Sequence, residues 1–154
     1  MNNYDPKKVL QTTRYIYFGL VAMPTLFAIV VISMLDETSL FTISFEEPLI
    51  HALILLILMI IPASIIIPKK QAQAINPEDN LQKKLSVFQT SMIIKAALWT
   101  GIADFAIVVA LLTSNYFPLI FGIIAILKIA SLYPNANSIG RVIPLNKSEC
   151  QELE

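Results

Sequence analysis

Four long runs of apolar residues dominate the chain: Tyr15 to Leu35, Leu49 to Ile67, Met92 to Thr113 and Tyr116 to Tyr133. The runs are continuous rather than alternating, which argues for helices and against the strands of a membrane β-barrel. At a rise of about 1.5 Å per residue, each is long enough to cross a hydrocarbon core of roughly 30 Å. The pattern predicts an all-α integral membrane fold, a four-transmembrane-helix bundle, with helices over about 15–35, 49–67, 77–113 and 116–133. Residues 1–134 form one transmembrane domain in this reading, and 135–154 a polar cytoplasmic tail.

Within the runs, prolines and small residues punctuate the pattern. Pro24 removes a backbone donor inside the first helix and predicts a kink there, with Gly19, Ala22, Thr25 and Ala28 forming a small-residue stripe for helix packing. The second helix opens on Phe45-Glu46-Glu47-Pro48, acids beside the positive helix start and proline where no donor is needed. Pro62 is expected to bend it and Pro68 to end it. Asn76-Pro77-Glu78-Asp79 combines an N-cap residue, a first-turn proline and two acids, so the third helix is expected to begin there, ahead of its apolar run. Leu81, Leu85 and Phe88 at i, i+4 and i+7 make that extension amphipathic.

Composition sharpens the class. At 56% hydrophobic and 14% charged, the chain is far poorer in charge than the roughly 25% of soluble domains. The formal net charge is zero, yet the charges are sorted by position. Lys7, Lys8 and Arg14 precede the first run; Lys69, Lys70, Lys83 and Lys84 occupy the second loop; Arg141 and Lys147 lie in the tail. The first loop holds Asp36, Glu37, Glu46 and Glu47 with no basic residue, and the third, around Ser114 and Asn115, is uncharged. The positive-inside rule then puts both termini and the second loop in the cytoplasm, the N-in/C-in arrangement of a multi-pass protein of the bacterial cytoplasmic (inner) membrane.

The first run exceeds a signal-peptide core and ends in Ile32-Ser33-Met34-Leu35-Asp36-Glu37-Thr38, without a small-residue cleavage site, so it reads as a mature helix. With no myristoylation or prenylation pattern, the helices are the anchor. Cys150 reads as an ordinary reduced thiol of the tail.

Asp104 is the one acidic residue in the four runs, and it sits mid-span. A charge at that depth costs roughly 2.5–3.5 kcal/mol on insertion scales, so such residues face protein or water. At helical spacing Asp104 shares a face with Ala97, Thr100 and Gly101, which places it against another helix of the bundle or of an oligomer. Two roles follow: a neutral structural carboxyl bonded to a hydroxyl such as Thr25 or Thr100, or an ion- or proton-binding carboxylate with Lys128 as its intramembrane partner. Lys95, Trp99 and Tyr133 read as interfacial anchors.

Catalytic material is sparse. His51 is the chain's single histidine, near Glu46 and Glu47, and cannot supply a multi-histidine metal sphere; no C-x-x-C, H-E-x-x-H, G-x-S-x-G or phosphate-loop pattern occurs. No cofactor, metal or nucleic-acid partner is expected.

The run Lys84-Leu85-Ser86-Val87-Phe88 to Leu112, chiefly Phe88, Thr90, Ile94, Lys95, Ala97 and Leu98, resembles an uncharacterised group of small four-helix inner-membrane proteins of Bacteroidota, in which an F-x-T-x-x-I-x-[RK]-x-A-L run opens the third helix. That group often carries an acid and a glycine just after the A-L pair, where this chain has Trp99, Thr100 and Gly101. The same helix is similar to the carboxylate-bearing helix of rotary ATP synthase proteolipids, without their glycine-rich partner helix. A fold similar to the four-helix glutathione-handling membrane enzymes would be the route to catalysis, but their clustered Arg/Asn/Glu site is missing.

The expectation is therefore a non-enzymatic accessory or scaffold subunit of a membrane complex, its partners being the lipid bilayer and either further copies of itself or other membrane subunits. The alternative is a small proton- or cation-coupled transporter using Asp104.

Overall fold

The computed structural model describes residues 6–35, 41–42, 47–73, 75–76 and 78–134. The fold is all-helical, with α1 (Pro6–Met34), α2 (Pro48–Gln73), α3 (Leu81–Thr113) and α4 (Phe117–Ser131). The expected tail, with Cys150, lies outside the described residues. Three helices, α1, α2 and α3, are long and apolar enough to cross a membrane. The 15 residues of α4 span about 22 Å, short of the roughly 30 Å of a hydrocarbon core and of the expected 116–133.

Local chemistry sets that shorter helix. α3 ends in a Schellman motif: the Ser114 N–H bonds the Leu111 carbonyl (3.4 Å) and the Asn115 N–H bonds the Ala110 carbonyl (3.1 Å). Ser114 takes the left-handed conformation (φ 47°, ψ 39°) that usually falls to glycine. Tyr116 then caps α4, with Pro118 in its first turn, and Leu132 closes it.

Other boundaries also move from expectation. α1 starts at Pro6 rather than near residue 15, because Val9 and Leu10 in its early turns pack with Ile75, Leu85, Phe88 and Met92. The amphipathic extension of α3 is thus buried against α1, with Leu85 and Phe88 in the core and Leu81 beside it. α3 begins at Leu81, not at residue 77. Its N-cap is Asn80, whose side chain accepts from the Lys83 N–H at 2.9 Å. Asn76 instead opens a turn, its carbonyl accepting from the Asp79 N–H (3.0 Å) while the Asp79 carboxylate accepts from the Asn76 N–H (2.9 Å). α2 does not stop at Pro68 but runs through it to Gln73. Ile75, just beyond, is held in the core that joins α1 and α3, and this packing keeps the end of α2 in place.

α3 is the centre of the bundle. Its main contacts are with all three other helices, α4 also meets α1, and α1 and α2 touch each other little. One side of α3 joins α1 and α4 through Ala28, Val31, Ile107, Ala110 and Leu119. Another joins α2 through Ile50, Leu53, Ala106 and Val109, with Phe117 and Phe121 of α4 packed against them. The α3–α4 contact is close because the facing residues are small: a Cβ on Gly122 would lie 3.5 Å from the Ala103 carbonyl oxygen and 3.6 Å from the Ala106 Cβ.

Candidate functional site

Asp104 lies on α3 between Ala103, which is fully buried, and Phe105, which packs toward α2. Ala97, Gly101, Asp104 and Val108 recur at i, i+4, i+7 and i+11 and so share one face of the helix. α1 borders that face on one flank, where Thr100 approaches it, and α2 on the other, where Phe105 joins the Ile50/Leu53 cluster. The face itself is open. Ala97 and Gly101 are exposed, Asp104 is half-buried, and a Cβ on Gly101 would meet no atom within 4 Å.

Neither expected hydroxyl reaches the carboxylate. Thr25 donates to the Val21 carbonyl of its own helix at 2.7 Å, and Thr100 donates to the Ala96 carbonyl at 3.0 Å. Lys128 makes no ion pair with Asp104, because it lies several residues along the bundle from it: Ile129, its neighbour, packs with Ala96. Asp104 has no hydrogen-bond or ion-pair partner among the described residues.

The expected packing stripe divides. Thr100 packs inward, its hydroxyl also 3.4 Å from the Leu20 carbonyl, while Ala22 and Thr25 are half-buried. Gly19, Ala97 and Gly101 do not pack within the chain; the close helix contact is made instead by Gly122, Ala103 and Ala106. The signal for that seam was the recurrence of Ala96, Ala103, Ala106 and Ala110 on α3, every one of them buried.

The expected anchors also differ from one another. Trp99 turns inward to join both Tyr17, Ala96 and Ile129 and Ile102, Ala103 and Ala125, with its Nε1 enclosed and without an acceptor. It packs there because its position on α3 faces α4. Tyr133 is exposed, yet its ring meets Tyr17 edge-on at 6.2 Å and lies 5.9 Å under the Arg14 guanidinium. Arg14 Nε reaches the Pro134 carbonyl (3.4 Å), and the Tyr17 hydroxyl donates to the Ile129 carbonyl, so α1 is stitched to the end of α4. Lys95 is half-buried and Lys128 exposed.

Asn115 is a residue that sequence reasoning passed over. Its buried side chain accepts from the Thr42 N–H (3.2 Å) and the Phe117 N–H (2.9 Å) and donates to the Thr42 carbonyl (2.7 Å). It clips the first loop to the α3–α4 turn. Elsewhere, between α2 and α3, an open groove of about 460 Å³ is lined by His51, Ala52, Leu55, Leu56, Met59 and Phe105. Asp104 is not among its walls, and His51, its one polar group, points its Nδ1 toward the Glu47 carbonyl at 3.2 Å. Such a groove suits an apolar chain and has too few convergent polar groups to fix a polar substrate.

The geometry therefore centres on an open helix face with an unpartnered carboxylate. No protein-family model, no curated protein and no solved structure matches this chain.

Proposed function

We propose that this chain is a multi-pass membrane protein working as a non-enzymatic subunit of an assembly, with a helix of a further copy or of another subunit seated on the α3 face of Ala97, Gly101 and Asp104. The carrying observation is that these small residues are exposed beside a carboxylate that has no partner among the described residues. Small side chains let a second helix backbone approach closely, and covering Asp104 removes it from lipid, where a charge is expensive. Membrane insertion is supported by the three long apolar helices and by the large apolar side chains on their outer faces, such as Met23 at 74% and Leu58 at 67% exposure. An exposed surface of that kind is foreign to a monomer in water. Lys7, Lys8 and Arg14 in the first turns of α1, Lys69 and Lys70 near the end of α2, and Lys83 and Lys84 at the start of α3 support the N-in arrangement in a bacterial inner membrane. The shorter α4 crosses with local thinning of the bilayer.

Extraction in native lipid with identification of co-purifying chains tests this reading. A stable partner or self-association that Gly101→Leu abolishes supports it; a monomer without partners overturns it.

The unpartnered state of Asp104 also favours a second reading, a small proton- or cation-coupled carrier. Proteoliposome flux that falls in Asp104→Asn supports that reading, and flux unchanged in the variant removes the carboxylate from it.

A further inference from the structure

Lys95 and Lys128 stand on different helices, far apart in sequence, yet the fold brings them to one level. Ala96 and Ile129, the residues that follow them, belong to the same buried cluster, together with Tyr17. Each lysine stands one residue before a member of that cluster, so the two side chains leave the antiparallel α3–α4 seam on the same side, on helix axes roughly 8–10 Å apart. Neither has an ion-pair partner among the described residues. The described acids all lie elsewhere: Asp79 is paired with Lys83, Glu78 adjoins it in the second loop, Glu47 precedes α2, and Asp104 is about 13 Å further along α3 on another face. Two like charges drawn together with no carboxylate between them call for an external anion.

Their depth selects its kind. Lys95 sits about one turn inside the apolar run that opens at Met92, and Lys128 about one turn inside the end of α4 at Ser131, so both stems reach the boundary of the hydrocarbon core. The headgroup layer, roughly 5–8 Å thick on each side, begins there and holds the lipid phosphates. Basic groups set between helices on the cytoplasmic side are suited to anionic headgroups. The exposed Lys128 leaves the site open from outside the bundle.

We propose that Lys95 of α3 and Lys128 of α4, brought to one level by the buried cluster that Ala96 and Ile129 share, form a two-cation clamp for the phosphate of an anionic lipid. The clamp rests on the membrane reading above, and it lies away from the open α3 face, so lipid binding and subunit docking do not compete.

The full chain is expressed, its membrane fraction collected, and the protein extracted mildly for native mass spectrometry with dioleoyl phosphatidylglycerol or dioleoyl phosphatidylcholine. The wild type is expected to retain phosphatidylglycerol about tenfold better than phosphatidylcholine, and Lys95→Gln/Lys128→Gln to lose that preference. Lys95→Arg/Lys128→Arg, which keeps the charge, and Lys69→Gln/Lys70→Gln, which removes exposed charge elsewhere, are expected to keep it. Equal retention of both lipids, or a preference that survives in the double glutamine variant, overturns the clamp. Displacement of phosphatidylglycerol by millimolar inorganic phosphate would assign the site to a soluble anion and also overturns it. Absence of the wild type from the membrane fraction would defeat the membrane reading itself, whereas unselective lipid retention by a membrane-embedded wild type defeats the clamp alone.

Discussion

The Thr100 hydroxyl of α3 lies 3.4 Å from the Leu20 carbonyl of α1, and that carbonyl is the one Pro24 leaves without its helical donor. A proline in a helix interior frees the acceptor four residues earlier, and here a neighbouring helix brings a hydroxyl to it while Thr100 also bonds Ala96. Thr100→Val should cost about 0.5–1 kcal/mol, the usual net worth of such a bond. In Pro24→Ala, where the restored backbone N–H can take the Leu20 carbonyl, the same substitution should cost less. A double-mutant cycle on detergent unfolding measures the coupling, and a coupling of zero would separate the two residues.

Asn115 joins the backbone of Thr42 to the start of α4 with three hydrogen bonds. Asn115→Ala removes three hydrogen bonds to part-buried backbone groups and should destabilise by about 1–2 kcal/mol. Asn115→Asp keeps both acceptors but loses the donor to the Thr42 carbonyl, and should fall between. Hydrogen exchange of the Thr42 and Phe117 amides reports the clip directly; unchanged protection in Asn115→Ala would disprove it.

Gly122 and Gly101 give opposite expectations for one kind of change. A Cβ at Gly122 makes ordinary contacts near 3.5 Å, so Gly122→Ala should be tolerated, but Gly122→Leu must push α4 away from Ala103 and Ala106, at a cost of about 1–3 kcal/mol. Gly101→Leu meets nothing within the chain and should leave its stability within about 0.5 kcal/mol. Thermal unfolding of the monomeric chain separates the two, and equal losses at both sites would place the α3–α4 seam elsewhere.

The turn before α3 should respond to acid. The Asp79 carboxylate accepts from Lys83 Nζ and from the Asn76 N–H, each at 2.9 Å. These bonds, the Lys83 one foremost, hold its titration below the ordinary carboxylate range. A lowered native pKa means that the stabilisation is fully present above the unfolded value of about 3.9 and is lost as pH falls through the native value. The Asn76 amide resonance followed from neutral pH into acid should therefore shift with a midpoint under about 3.9, and Lys83→Gln should raise that midpoint. A midpoint at or above the ordinary value refutes the arrangement.

Periodicity revealed which stretches are helical and that Leu85 and Phe88 of the α3 extension face the core, because they declare a face whatever they pack against; it gave no sign that Lys84 is buried beside them. It placed the cap of α3 at Asn76, which Pro77 and two acids follow; the Asp79 side chain instead closes a turn on Asn76, and Asn80 becomes the cap. Pro68 looked terminal because a proline costs one hydrogen bond, whereas contacts beyond it keep the helix going. Asp104 was legible as an anomaly. Its open surroundings were not, because small residues such as Ala97 and Gly101 mark a face fit for packing without saying whether the same chain supplies the helix. Lys95 and Lys128 read separately as snorkelling residues; only the tertiary cluster that Ala96 shares with Ile129 brings them to one level.

The central position of α3 also bears on how the protein is made. α1 and α2 leave the ribosome first but touch each other little, and the surface that each buries belongs to a helix translated later. A nascent chain that has delivered only its first two helices therefore holds two greasy rods that lack their proper neighbour. Assembly waits for the third, and the fourth, following after a turn of a few residues, closes the core almost as soon as it appears. Chains cut short before Leu81 should be poor folding units and ready substrates for proteolysis, whereas a chain that reaches Ser131 holds all four helices of the described core.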